Sequence, residues 1–241
     1  MATSFADFAE QANPKTLAEA RRATFRQATR IHGSFLAAVE KRTLVWMAEH
    51  MPAWVNSDHL TILGFGAQIA TGVCYALAAW DRRMLLAAIV CLAVNWFGDS
   101  LDGTLARVRQ KQRPRYGFYV DHMIDSVGAV AMMGGLALSG YMHPVIAIGL
   151  LIAFLLLSIQ SYLATYTLGE FHLSFWRFGP TELRVLLAIG NLALFRWAWV
   201  IHGRCRLFDI GGAIGLVGMV LMLIVITLRN TRRLYREERI E

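Results

Sequence analysis

Two apolar runs in this chain each adjoin a pair of acids, and few folds accommodate that arrangement. The run Leu85–Phe97 leads into D-S-L-D-G-T-L-A-R. Nine residues later, G-F-Y-V-D-H-M-I-D gives way to the apolar run Val127–Leu138. Asp99 and Asp102 are three apart, and Asp121 and Asp125 are four apart. On a helix each pair shares one face, with about one 5.4 Å turn between its members. A carboxylate at a bilayer centre costs on the order of 2.5–3.5 kcal/mol on insertion scales, so four of them need a bound counter-charge or contact with water.

The 241 residues are 56% hydrophobic, and the mean hydropathy is +0.44. That exceeds an ordinary soluble domain, and several runs approach the ~20 apolar residues that cross a bilayer core. The runs are continuous instead of alternating, which argues against a barrel. The expected fold is all-α: a polytopic integral membrane protein with six transmembrane helices and an N-terminal amphipathic or juxtamembrane helix. The spans are predicted at 59–80, 84–104, 117–140, 144–168, 182–202 and 207–228. The domains are then an N-terminal cytoplasmic amphipathic segment at 1–58, a six-helix domain at 59–228 and a basic cytoplasmic tail at 229–241.

Residues 1–58 mix cations with Phe25, Ile31, Phe35, Leu36, Val39, Leu44, Val45 and Trp46. Such a helix lies on anionic lipid or packs against the membrane domain. Pro52 ends it. The polar N-terminus argues against a signal peptide. Cys74, Cys91 and Cys205 are scattered and predict neither a disulfide framework nor a zinc site.

The net charge is +7 and the pI about 9.7. The cations flank spans instead of forming one patch, which excludes nucleic acid as the expected partner and points to positive-inside topology. Arg107, Arg109, Lys111, Arg113 and Arg115 follow the second span, and Arg229, Arg232, Arg233, Arg236 and Arg239 occupy the tail. Together with seven cations between Lys15 and Arg42, they place both termini and the acids on the cytoplasmic side. The opposite loops hold only Arg82, Arg83, Arg204 and Arg206.

Asp99, Asp102, Asp121 and Asp125 suit magnesium or manganese, which prefer carboxylate oxygens. Four acids can share two ions about 4 Å apart, an arrangement that clamps a pyrophosphate. Gly103 and Ala106 leave room against the backbone, and Arg107 can pair with a phosphate through two N–H groups. Gly117 is expected where the two helix ends come close.

With these residues assembled, the run resembles the signature of the CDP-alcohol phosphotransferase (CDP-alcohol phosphatidyltransferase) family, D-x-x-D-G-x-x-A-R, a spacer of eight or nine, then G-x-x-x-D-x-x-x-D. Every fixed position is present: Asp99, Asp102, Gly103, Ala106, Arg107, Gly117, Asp121 and Asp125. The resemblance implies a membrane transferase of phospholipid biosynthesis, in which an acceptor hydroxyl attacks a CDP-alcohol and CMP leaves. It implies Asp99, Asp102, Asp121 and Asp125 as ligands of two Mg2+ or Mn2+ ions, Asp125 also as general base, and Gly103, Ala106, Arg107 and Gly117 as CDP contacts. The residues alone leave Asp121 equally eligible as the base. The partners implied are a CDP-alcohol donor, an alcohol or lipid acceptor, membrane lipids and a second copy in a homodimer. The lipid can be donor, as CDP-diacylglycerol, or acceptor of a CDP-bound headgroup.

A second region, S-Y-L-A-T-Y-T-L-G-E-F-H-L-S-F-W-R-F-G-P-T-E-L-R, loosely resembles the choline- and ethanolamine-phosphotransferase branch of the family. Arg115, Arg177 and Arg184 are candidate contacts for an acceptor phosphate; the last two are otherwise plain membrane anchors. Glu182 either orients Arg184 or a substrate, or meets the dipole of a helix start. Asn95 steadies a ligating carboxylate or fills a polar gap. Asn56 and Thr61 are candidate nucleotide contacts. His122 points about 100° from Asp121 on a helix, which predicts a helix contact over ligation. The alternative function is an ion-conducting or transport protein whose four aspartates line a cation path. Arg107 counts against it, because a permeating cation gains nothing there.

Overall fold

The computed structural model describes residues 29–31, 37–168, 170–172, 180–197, 199–200 and 205–239. Seven helices occupy these residues: α1 Ala37–Glu49, α2 Ser57–Leu77, α3 Met84–Val108, α4 Pro114–Leu138, α5 Pro144–Leu168, α6 Pro180–Arg196 and α7 Leu207–Glu237. Two short strand pairs accompany them. β1 (Thr29–Ile31) lies parallel to β2 (Glu170–His172), and β3 (Trp199–Val200) is antiparallel to β4 (Cys205–Arg206).

Each helix from α2 to α7 rises from one of the six apolar runs. Prolines stand at the first positions of α4, α5 and α6, where a missing N–H costs nothing. Four helices, α2, α3, α5 and α7, are long and apolar enough to cross a membrane. α6 has only 17 residues, and α4 carries Arg115, Asp121 and Asp125 along its first half. The exposed side chains of α5 and α7 are largely Ile, Leu and Val, including Ile152, Leu156, Ile159, Val217, Leu221 and Ile224. That is the surface expected to face acyl chains, where burial in protein is not needed.

α2 is the shared support of the two acid-bearing helices, packing on both α3 and α4. Glycine makes both approaches close. A Cβ on Gly98 of α3 would lie 2.6 Å from Gly64 Cα and from Leu60 O on α2. A Cβ on Gly135 of α4 would strike the backbone carbonyl of Gly72. Gly98→Ala therefore forces α2 and α3 apart at backbone level. It is expected to cost about 1–3 kcal/mol and to lower the unfolding midpoint in detergent. Gly134→Ala, where a Cβ meets nothing within 4 Å, leaves the midpoint in place.

The core lies between α2, α3 and α4, with Tyr75, Leu85, Ala88, Leu92 and Leu136 buried there and Leu194 of α6 closing one side. At the end away from the acids, Arg82 donates from Nη2 to Leu194 O at 2.8 Å and so satisfies a last-turn carbonyl of α6. The His143 N–H donates to Asp209 Oδ1 at 2.5 Å and joins the starts of α5 and α7.

Several sequence expectations are refined. α3 runs on to Val108, past the predicted end at 104, and α4 begins at Pro114, three residues before Gly117. The acids therefore stand inside helices, and the connection is only 109–113. α3 ends in a Schellman turn, with Gln110 at φ 54 and the Lys111 N–H donating to Ala106 O at 2.9 Å. Gly117 does not mark a close helix approach: nothing lies within 4 Å of a Cβ built there. α6 stops at Arg196, before the predicted 202, where the chain turns to β3. Within residues 1–58, α1 packs on α3 through buried Leu44 and Ala48, while Trp46 stays 60% exposed. The rest of that segment up to 36, apart from β1, lies outside the described residues. Gly212 and Gly215 of α7 pack against Ile146 and Leu150 of α5, whereas Gly218 faces open space.

Candidate active site

α3 runs toward one end of the bundle and α4 runs away from it. Asp99 and Asp102, in the last three turns of α3, therefore share that end with Asp121 and Asp125 in the first half of α4. The four carboxylates act on one another: Asp102 feels the charges of Asp99 and Asp121, and Asp125 those of Asp99, Asp102 and Asp121. Asp102 is the buried member of the four. Its Oδ2 accepts the Thr61 hydroxyl of α2 at 2.6 Å, its Oδ1 accepts the Gly103 N–H, and its backbone carbonyl accepts the Ser57 hydroxyl at 3.0 Å. Thr61 thus holds a carboxylate. Asn56 is the N-cap residue of α2, its N–H directed to His59 Nδ1 at 3.3 Å.

Arg184, one turn into α6, enters the same site. Its Nη2 donates to Asp99 Oδ2 at 2.5 Å and its Nε to Asn95 Oδ1 at 2.7 Å. The Asn95 amide in turn donates to Gly64 O at 2.9 Å. Asn95 therefore steadies the guanidinium that meets Asp99, four residues along the same face of α3. The Arg184 side chain is 15% exposed and that of Asp99 35%, so the ion pair is half-buried, with its carboxylate side open to solvent. Asp125 also lies within reach of its charge.

The other signature residues line the rim. Gly103 stands beside the Arg107 guanidinium: a Cβ there would lie 3.5 Å from an Arg107 Nη. Arg107 also donates to Thr104 Oγ1 at 2.9 Å. Ala106 and Gly117 are half-buried, and nothing lies within 4 Å of a Cβ built on Gly117. Arg115 is exposed in the first turn of α4. Glu182 stands in the first turn of α6, where the helix dipole favours an acid. Arg177 lies outside the described residues. Arg113 pairs with Asp58, and Arg109 spans the carbonyls of Met51, Pro52 and Val55. Two of the basic residues after α3 thus fasten that connection to the entry of α2. His122 packs edge-on against Tyr162 of α5, with centroids 4.8 Å apart, the helix contact expected of it.

As the side chains stand, no three His, Cys, Asp or Glu among the described residues are close enough to grip one metal ion. Both Asp102 oxygens are occupied by donors, and Asp99 Oδ2 by Arg184. The donor chemistry still fits a hard divalent cation: four carboxylates from two helices, at the polar end of a membrane-grade bundle.

The model of the CDP-alcohol phosphatidyltransferase family matches residues 54–229. The chain belongs to this family. The match takes in α2 through α6, most of α7 and every residue of the four-aspartate site, and leaves α1 outside. Over 86 residues the chain is also 34% identical to archaetidylinositol phosphate synthase of Pyrococcus horikoshii. That likeness spans 36% of this chain and 43% of the relative, less than half of its length.

Proposed function

We infer that this protein is an integral membrane CDP-alcohol phosphotransferase of phospholipid synthesis. It transfers a substituted phosphate from a CDP-alcohol to an acceptor hydroxyl and releases CMP. The observation that carries the reading is the four-aspartate end of α3 and α4 with Gly103 and Arg107 on its rim, in a chain of this family. Phosphoryl transfer is mainly positioning and charge neutralisation, and the residues divide along those lines. Asp99, Asp102, Asp121 and Asp125 would hold Mg2+ or Mn2+, which supplies neutralisation of the pyrophosphate charge. Gly103, Ala106 and Gly117 leave space for the nucleotide, and Arg107 meets its phosphates.

Asp125 takes the proton of the acceptor hydroxyl as that oxygen bonds to the phosphorus of the donor alcohol. The bond from this phosphorus to the bridging oxygen breaks, and CMP departs with the electron pair. Arg184 holds Asp99 at its set position and, with its remaining donors, meets a phosphate on the acceptor. The excess of Lys and Arg at the acid-bearing end supports an orientation toward the cytoplasm. A cation path is the weaker reading, because a guanidinium seated on Asp99 opposes a passing cation.

The named relative suggests the substrate class: a CDP-linked lipid as donor and a phosphorylated polyol as acceptor. The test is purified protein with a divalent cation and labelled CDP-diacylglycerol, screened against inositol phosphate, glycerol phosphate and serine, with CDP-choline plus diacylglycerol as the opposite arrangement. CMP release with a lipid product in one arm supports the reading. Release in none of them, with ion flux in vesicles, overturns it. In the productive arm Thr61→Val leaves the buried Asp102 carboxylate without its hydroxyl donor. A loss of about 1–3 kcal/mol, some five- to hundredfold in kcat/KM, is expected from initial rates.

A further inference from the structure

Glu40 lies in the first turn of α1, outside the residues that the family shares. Its Oε1 nevertheless accepts from two helices of the candidate active site. The Trp96 indole N–H of α3 reaches it at 2.9 Å and the Thr181 hydroxyl of α6 at 2.7 Å, with the Ser100 hydroxyl at 3.5 Å. The positions of these partners matter. Trp96 follows Asn95, Ser100 follows Asp99, and Thr181 precedes Arg184 by one helical turn. Asn95, Asp99 and Arg184 are the three residues joined in the ion pair between α3 and α6. The carboxylate of α1 therefore ties α3 to α6 at the level where Arg184 meets Asp99. α1 is itself fixed there, since Leu44 and Ala48 are buried with Leu101 and Leu105 of α3.

We propose that Glu40 is a positioning residue: by holding the first turn of α6 against α3 it sets Arg184 in place for the acceptor. The function rests on the phosphotransferase reading above, whereas the holding of α6 does not. α6 is short, with 17 residues, so a tie at its first turn bears on where Arg184 stands one turn on. A charge-assisted hydrogen bond to a hydroxyl is among the stronger ones a side chain can offer. Glutamine at position 40 keeps an acceptor oxygen for Thr181 and Trp96; alanine removes it.

The experiment uses the full chain in detergent with Glu40→Ala, Glu40→Gln and Thr181→Val. Amide hydrogen exchange of the peptide over 180–186 is the readout that needs no turnover. It is expected to quicken about tenfold in Glu40→Ala, less in Thr181→Val, and to stay near wild type in Glu40→Gln. Under the CMP-release assay, Glu40→Ala raises KM for the acceptor about tenfold with KM for the CDP-alcohol unchanged, and Glu40→Gln restores it to within about twofold. Unchanged exchange over 180–186 in both Glu40→Ala and Thr181→Val overturns the proposal whatever the kinetics show. Altered exchange with both KM values equal to wild type refutes the positioning role. Should Glu40→Ala fail to fold, the isosteric Thr181→Val carries the same exchange and KM criteria. Absence of CMP release in the wild type overturns the phosphotransferase reading instead, and the exchange result still decides whether Glu40 holds α6.

Discussion

Asp125→Asn lowers the rate of CMP release by about 10²–10⁴-fold, the range supplied by a positioned general base, while the protein stays folded. Asparagine matches aspartate in size but cannot take the proton of the acceptor hydroxyl. The neighbouring acid separates this role from metal binding alone. Asp121→Asn is expected to lose activity through weaker hold on the cation, so that excess Mn2+ recovers part of the rate. Excess Mn2+ does not raise the rate of Asp125→Asn. Steady-state rates over a manganese series check both variants. Recovery of Asp125→Asn by metal, with none in Asp121→Asn, would exchange the two assignments.

Arg184→Ala has the second large effect. The guanidinium joins Asn95 and Asp99 through two different nitrogens and is enclosed between α3 and α6. Its removal leaves Asp99 facing the other three acids with no cation at 2.5 Å. Breaking a half-buried pair in this way, with solvent screening on the Asp99 side, costs about 1.5–3 kcal/mol, part of it in fold stability and part in kcat/KM. A loss of roughly tenfold to 10²-fold in kcat/KM is expected. Arg184→Lys recovers little, because a single ammonium on a flexible stem does not reproduce a planar fork that serves an amide oxygen and a carboxylate together. Paired measurement of the unfolding midpoint and of CMP-release rates separates the two portions. Near-wild-type rates in Arg184→Lys would show that charge alone suffices there.

The helices were legible because each is announced by an apolar run and bounded by polar or proline residues, as at Pro144 and Pro180. Their ends were less so. Hydropathy falls at Asp99, yet α3 continues to Val108, since its acids line one face while the backbone remains hydrogen-bonded within the helix. The signature residues are local in sequence, so their grouping on two neighbouring helices could be read from their spacing. What joins them was not. Arg184 meets Asp99 across 85 positions, Thr61 meets Asp102 across 41, and Glu40 meets Thr181 across 141. Such pairings depend on which helix faces which, and here the close glycine approaches of α2 to α3 and α4 decide that. Asn95 offered a partial signal: four residues before Asp99 on one helix face, a polar side chain in an otherwise apolar run needs a partner. Gly117 misled, because a glycine beside a turn suggests helix crossing when here it borders open space. Glu40 gave no signal, since one acid among the cations of a surface helix ordinarily faces water.

On the phosphotransferase reading the four aspartates turn onto divalent cations beside the nucleotide. The most direct test is a titration of the full chain with Mn2+ in the presence of CDP, read by electron paramagnetic resonance. Wild-type protein is expected to take up manganese saturably, with two ions bound per chain, and Asp99→Asn and Asp121→Asn to need markedly more manganese for the same uptake, with a weaker dependence on CDP. Equal manganese binding by the wild type and both variants would contradict the account.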